Sequence, residues 1–119
     1  MIFNSATNGG GMTLLWENQD PNLGFSEQTI PCDTSGYNAF FLVMRSERNY
    51  ENYYAGIISN IKNIPITVFG TVNLRQYYRT AKVTASGIWF ENYGHEDQGS
   101  GNISNSVNTA YPIKVYGIR

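Results

Sequence analysis

The chain has 119 residues, enough for one domain with a buried core and too few for two. Only 14% of them are charged, the formal net charge is -1, and the Lys and Arg residues are scattered. The counterion release that drives nucleic-acid affinity is therefore largely missing, and neither DNA nor RNA is expected as a partner.

Residues 1–11, "MIFNSATNGGG", are small, polar and glycine-rich and read as a flexible arm or linker; they lack the basic and apolar regions of a secretory signal. Residues 12–119 read as the folded domain. In "MTLLWEN" (Met12 to Asn18), Leu14 and Trp16 alternate with Thr13, Leu15 and Glu17, which predicts a strand leading into the turn-rich "QDPNLG". "FSEQTIPCD" predicts a second strand, and "DTSGY" supplies turn chemistry. The unbroken apolar run Ala39 to Met44 predicts a central third strand buried on both faces.

"YENYYAGIIS", "IPITVFGTV", "LRQYYRTAKVTA", "SGIWFEN" and "AYPIKVYGIR" are each strand-length, rich in aromatic or β-branched residues, and bounded by Gly, Asn, Pro or Ser. No segment sustains a helical period with caps. The fold class expected is all-β: a single-domain, jelly-roll-like β-sandwich of about eight antiparallel strands. Pro65 and Pro112 belong at strand starts or edges, because neither donates to a ladder. Gly94 to Asn108 reads as one long polar loop. The expected core is Leu14, Trp16, Ile30, Phe41, Val43, Ile66, Val68, Ile88, Phe90, Ile113 and Val115.

In "SGIWFENYG", Ser86 to Gly94, strand alternation places Ile88, Phe90 and Asn92 on one side and Trp89, Glu91 and Tyr93 on the other. The first set has the character of a core face and the second that of a binding face.

No apolar run reaches the ~18 residues of a membrane span, so membrane insertion is not expected. The single Cys32 can form neither an internal disulfide nor a metal site, which fits synthesis and folding in a reducing cytosol. "HEDQGSGN" lacks the repeated oxygen ligands of a calcium loop, and His95, the only histidine, cannot make a HExxH site. No metal and no cofactor is expected.

Two segments carry a resemblance. Leu14, Leu15, Trp16, Asn18, Pro21, Phe25, Gln28, Ile30, Asp33, Ser35, Gly36 and Tyr37 match an opening pattern. Ser86, Gly87, Ile88, Phe90, Pro112, Lys114, Tyr116, Gly117 and Ile118 match a closing one. Together they resemble the C-terminal module of minor structural, tail-fibre or receptor-binding proteins of phages and prophages of Gram-positive bacteria. Asn49 to Asn73 is unmatched and corresponds to that family's variable middle. The resemblance implies a virion component made in the bacterial host cytoplasm, a β-sandwich, a homotrimer, and contact with other virion or tail proteins at or near the host surface.

Sugar recognition uses aromatic faces against the apolar side of a pyranose, with carboxylates and amides on its hydroxyls. Trp89, Glu91 and Tyr93, followed by His95, Asp97 and Asn102 in the polar segment, have that composition; the alternative is that Trp89 and Tyr93 cover a rim or a subunit interface. "RNYENYYAG" offers Tyr50, Asn52 and Tyr53 in a stretch rich in Tyr and Asn, as recognition surfaces commonly are, or else an ordinary hairpin with Tyr packed across strands. Glu91, Glu96 and Asp97 could supply a hydrolase pair, but acidic residues at a strand end are usually solvated, and no nucleophile motif accompanies His95. The sequence reading is a non-catalytic module that attaches to bacterial surface polysaccharide, with a fibre-trimerising, capping or decorating domain as the alternative.

Overall fold

A computed structural model describes residues 11–119. The arm expected at residues 1–11 lies outside the described residues except for Gly11. Ten strands follow in chain order: β1 (Met12–Glu17), β2 (Gln28–Pro31), β3 (Ala39–Glu47), β4 (Tyr50–Ser59), β5 (Pro65–Val72), β6 (Arg75–Thr84), β7 (Gly87–Phe90), β8 (Gly94–Asp97), β9 (Ile103–Ser106) and β10 (Thr109–Ile118). No helix occurs among the described residues.

The strands form two antiparallel sheets, a β-sandwich. Sheet A has four strands in the order β1-β10-β3-β4, so the first and last strands pair. Sheet B has six, in which the long β6 pairs with β5 along one side. Its other side is shared: β7 pairs with Ala81 to Thr84, and β8 with Gln76 to Tyr78. The inner faces meet through Phe40, Leu42 and Met44 of β3, Ala81 and Val83 of β6, Ile88 and Phe90 of β7, and Val115 of β10, all fully buried. Burying each large apolar side chain contributes about 1.5–3 kcal/mol, so these rows hold the two layers together. Phe25 closes one end edge-to-face on Phe90, with ring centroids 5.7 Å apart.

Four expectations change. The run Ala39 to Met44 is not buried on both faces: Phe40, Leu42 and Met44 point inward, while Phe41 and Val43 are half-buried on the outer face. A two-layer antiparallel sandwich covers only one face of each sheet, so alternation governs even a continuous apolar run. Leu14 is 48% exposed, because the register of β1 against β10 shifts between Leu14 and Trp16 and breaks the alternation there. Trp16, Ile66 and Ile113 are half-buried against the core. Gly94 to Asn108 is not one loop but the hairpin β8–β9, which accounts for the two strands beyond the expected eight.

The prolines sit as their chemistry requires. Pro65 opens β5. Pro112 lies beyond the end of β1, at a register shift between β10 and β3, where Asn18 Nδ2 donates to its carbonyl.

Candidate functional site

"SGIWFENYG" divides differently from the expected single strand. Ile88 and Phe90 are fully buried and Trp89 lies outward and half-buried, but the strand ends at Phe90. Between the pairs Ala81↔Phe90 and Tyr78↔His95, the segment Glu91 to Gly94 faces only Arg79 and Thr80, so β7 and β8 are separated by a wide bulge. Its two glycines are steric necessities. A Cβ on Gly87 would meet the Ile30 carbonyl oxygen at 1.9 Å, and one on Gly94 would meet that of Thr109 at 1.6 Å.

Glu91 and Arg79 build the bulge. The Glu91 backbone N–H donates to the Thr80 carbonyl at 3.0 Å, while its Oε2 accepts the Thr80 N–H at 2.6 Å in place of a lost ladder bond. Burial pushes the Glu91 carboxyl up, but the Thr80 N–H and His95 outweigh that and hold it below the usual carboxylate range. Arg79 is fully buried and donates to four carbonyls: Phe25 at 2.7 Å, Glu91 at 3.0 Å, Thr109 at 3.0 Å and Ser106 at 3.4 Å. Burial lowers its pKa to about 10, which leaves it charged at neutral pH.

Several other expected binding residues of this region also bond within the fold. Trp89 Nε1 donates to Glu27 at 3.0 Å, and Lys82 Nζ stands 4.9 Å from its ring centroid. His95 Nε2 pairs with Glu91 at 3.1 Å and Nδ1 with Asn105 at 2.5 Å, and its ring stacks on Tyr78 at 4.9 Å. Asp97 accepts the Gly99 N–H, and Asn102 contacts Ser100, both within the β8–β9 hairpin. Tyr93 is 47% exposed in the bulge. Trp89, Glu91 and Tyr93 therefore do not form one strand face.

A concave site lies elsewhere, at one end of the sandwich. Glu47 of β3 with Tyr50 and Asn52 of β4 come from sheet A; Asn73, Arg75 and Tyr77 come from the β5–β6 hairpin of sheet B. Together they line a cleft of about 320 Å³. That volume falls at the small end of ligand sites. Tyr53, from the same sequence cluster, lies on the outer face of sheet A with Val43, Ile113 and Tyr116. Tyr50 and Asn52 are thus the two expected binding residues that line this cleft.

The cleft floor is a bridge between the sheets. Tyr77 Oη bonds to Glu47 at 2.9 Å and lies 3.3 Å from Glu96 Oε2, and Arg75 Nη1 pairs with that same oxygen at 2.6 Å. Burial, then the Glu47 hydrogen bond, raises the Tyr77 phenol, so it stays a neutral donor. The Glu96 bond raises Arg75 further above an already high value.

The walls are fixed through their backbones. Arg45 Nε donates to the Tyr50 carbonyl at 2.9 Å, Ser46 Oγ to that of Asn52 at 3.1 Å, and the Arg48 N–H to that of Asn108 at 2.9 Å. Asn73 and Leu74, with φ of 52° and 66°, form the two-residue turn of the β5–β6 hairpin, and Leu74 is 95% exposed. The Tyr50 hydroxyl and the Asn52 and Asn73 amides make no hydrogen bond to another described residue.

Comparison of the chain with protein-family models, with curated proteins and with solved structures finds no match. The fold and site define an antiparallel β-sandwich carrying a polar, tyrosine-walled cleft at one end. Sequence reading missed Glu47, Asn73, Arg75 and Tyr77, and it named Glu96 as a member of the polar segment and of a possible hydrolase pair, not as part of this cleft. Asn73-Leu74 between two β-rich runs was the available signal, since a two-residue turn brings the flanking side chains to a hairpin tip.

Proposed function

We propose that this chain is a non-catalytic attachment module whose end cleft binds a bacterial surface polysaccharide. The observation that carries the reading is the composition of the cleft: one exposed tyrosine, two amides, a guanidinium and a carboxylate converge on a single sugar-sized concavity. Amides and guanidinium suit vicinal hydroxyls, and the tyrosine ring suits the C–H face of a pyranose. Glu47 and Glu96 are engaged by Tyr77 and Arg75, as groups shaping a binding surface would be. The resemblance of the chain's two ends to phage receptor-binding and tail-fibre modules supports a place on a virion tail or fibre, beside other virion proteins and in a homotrimer. A shallow sugar site of millimolar strength contributes about -4 kcal/mol, and multivalent display raises avidity by ~10² to 10⁴.

A second reading, an assembly domain with no sugar ligand, has its own observation. Leu14, Tyr116, Phe41 and Ile57 lie in one cross-strand row on the outer face of sheet A, with Ile57 65% exposed. Such a row is the kind of surface that self-association covers.

The test is retention of the protein by purified Gram-positive cell-wall polysaccharides, with a Tyr50→Ala/Asn73→Ala variant and an Ile57→Lys variant beside it. Saturable retention lost in the first variant at unchanged oligomeric mass supports attachment. Absence of retention over a broad panel, with an oligomer that dissociates on Ile57→Lys, would establish the assembly reading instead.

A further inference from the structure

The cleft has a neighbour. A second concavity, of about 220 Å³, opens on the other side of Tyr50 and is lined by Arg48, Asn49, Glu96, Ser104 and Asn108 among others. Glu47 and Tyr50 line both. The two hollows are therefore contiguous, and Tyr50, 57% exposed, stands on the boundary between them. Each has its own polar set: Asn52, Asn73 and Arg75 on one side, Asn49, Arg48 and Ser104 on the other.

The shared wall is held from both sides. Arg45 fixes the Tyr50 backbone, Ser46 fixes that of Asn52 within the first hollow, and the Arg48 N–H ties the turn to Asn108 within the second. Glu96 couples the floors, since it lines the second hollow while bonding Arg75 and Tyr77 of the first. Such pre-ordering lowers the cost of binding a ligand that spans both, because neither wall has to be fixed on association.

Resting on the saccharide reading above, we infer that the ligand is a linear oligosaccharide of at least two units, bound across Tyr50 with one unit in each hollow, rather than a terminal monosaccharide. The second hollow, at about 220 Å³, falls short of the ~300–1,000 Å³ usual for ligand sites and the first, at about 320 Å³, only just reaches it, so the two together suit a longer ligand better than either does by itself. The glycosidic linkage passes over the Tyr50 ring and beside Glu47. Recognition is then of an internal stretch of polymer, so every repeat along a cell-wall chain is a usable site.

The experiment takes a cell-wall polysaccharide that retains the protein, cleaves it by partial acid hydrolysis, and size-fractionates the products from mono- to tetrasaccharide. Calorimetric titration of the whole chain with each fraction is repeated for Asn73→Ala in the first hollow and Asn49→Ala/Ser104→Ala in the second. Thermal unfolding checks that both variants are folded. The expected result is at least a ten-fold gain in affinity from mono- to disaccharide, with the second-hollow variant reduced to the monosaccharide value and the first-hollow variant weakened for every length. Equal affinity for all lengths, or a second-hollow variant that keeps the gain, overturns the two-hollow inference while leaving saccharide binding standing. If no polysaccharide retains the protein, the attachment reading itself fails.

Discussion

Around Arg79, a guanidinium, a carboxylate, a histidine and aromatic rings satisfy one another and the backbone. Around Glu47, similar groups stand at the mouth of a cleft. In the first region the Arg79 Nη groups span four carbonyls, leaving Nε as that side chain's one buried donor without a partner among the described residues, and Glu91 takes the place of a ladder bond. In the second, the bonds of Glu47, Tyr77, Glu96 and Arg75 make a floor, while the Tyr50, Asn52 and Asn73 side chains are left facing outward. Composition alone does not separate a binding surface from a structural clamp; the destination of each hydrogen bond does.

The sharpest way to break this comparison is to remove the clamp. Arg79→Leu leaves four carbonyl acceptors without their donor, and a buried acceptor left unsatisfied costs about 1–3 kcal/mol. Urea unfolding is expected to show that loss. A change below about 1 kcal/mol would mean that the bulge is held by the ladder alone.

Next is the cleft. Tyr50→Ala is expected to leave the unfolding midpoint within about 0.5 kcal/mol of the parent, since the ring is exposed, while lowering polysaccharide affinity by about ten-fold or more. Binding and unfolding measured on one preparation decide this, and loss of both together would make Tyr50 structural.

The Glu91 carboxylate sharpens the contrast through pH. Its folded pKa is depressed below the ordinary 4.5, so its contribution to stability is full above that value and is lost as pH falls through the folded one. Glu91→Gln is expected to flatten the decline in unfolding free energy as pH falls below the ordinary 4.5, while the contribution of Asp33, whose pKa is lowered by its Ser35 hydrogen bonds, remains. An unchanged slope would show that the carboxylate's hydrogen bonds are not specific to the folded state.

The smallest effect belongs to the hairpin tip beside the cleft. Leu74 occupies a left-handed conformation that Gly adopts without penalty, so Leu74→Gly is expected to stabilise the protein by about 0.5–1 kcal/mol. Thermal unfolding reads the gain. A loss would mean that Leu74 packs against a neighbour in spite of its exposure.

Much of the architecture was legible. The β-branched and aromatic content of "IPITVFGTV" and "LRQYYRTAKVTA", with their bounding turn residues, gave β5 and β6 almost residue for residue, because such side chains fit a pleated, half-buried surface. The hairpin within Gly94 to Asn108 escaped, since short polar strands such as "ISNS" carry no apolar face to alternate. The inward set of β3 escaped for the opposite reason: with Phe40 to Met44 all apolar, only the position of the second sheet decides which residues are covered.

The site divides along the same line. Sequence by itself determined the all-β class, the buried Ile88 and Phe90, the outward Trp89, and the Tyr and Asn richness of the β3–β4 turn, because local alternation and turn chemistry suffice for each. Tertiary structure alone decided that Glu91 and His95 are consumed by a bulge and that Tyr50 and Asn52 meet Asn73, Arg75 and Tyr77. Those residues lie on different sheets, and only the packing of one layer on the other brings their side chains to one end of the molecule.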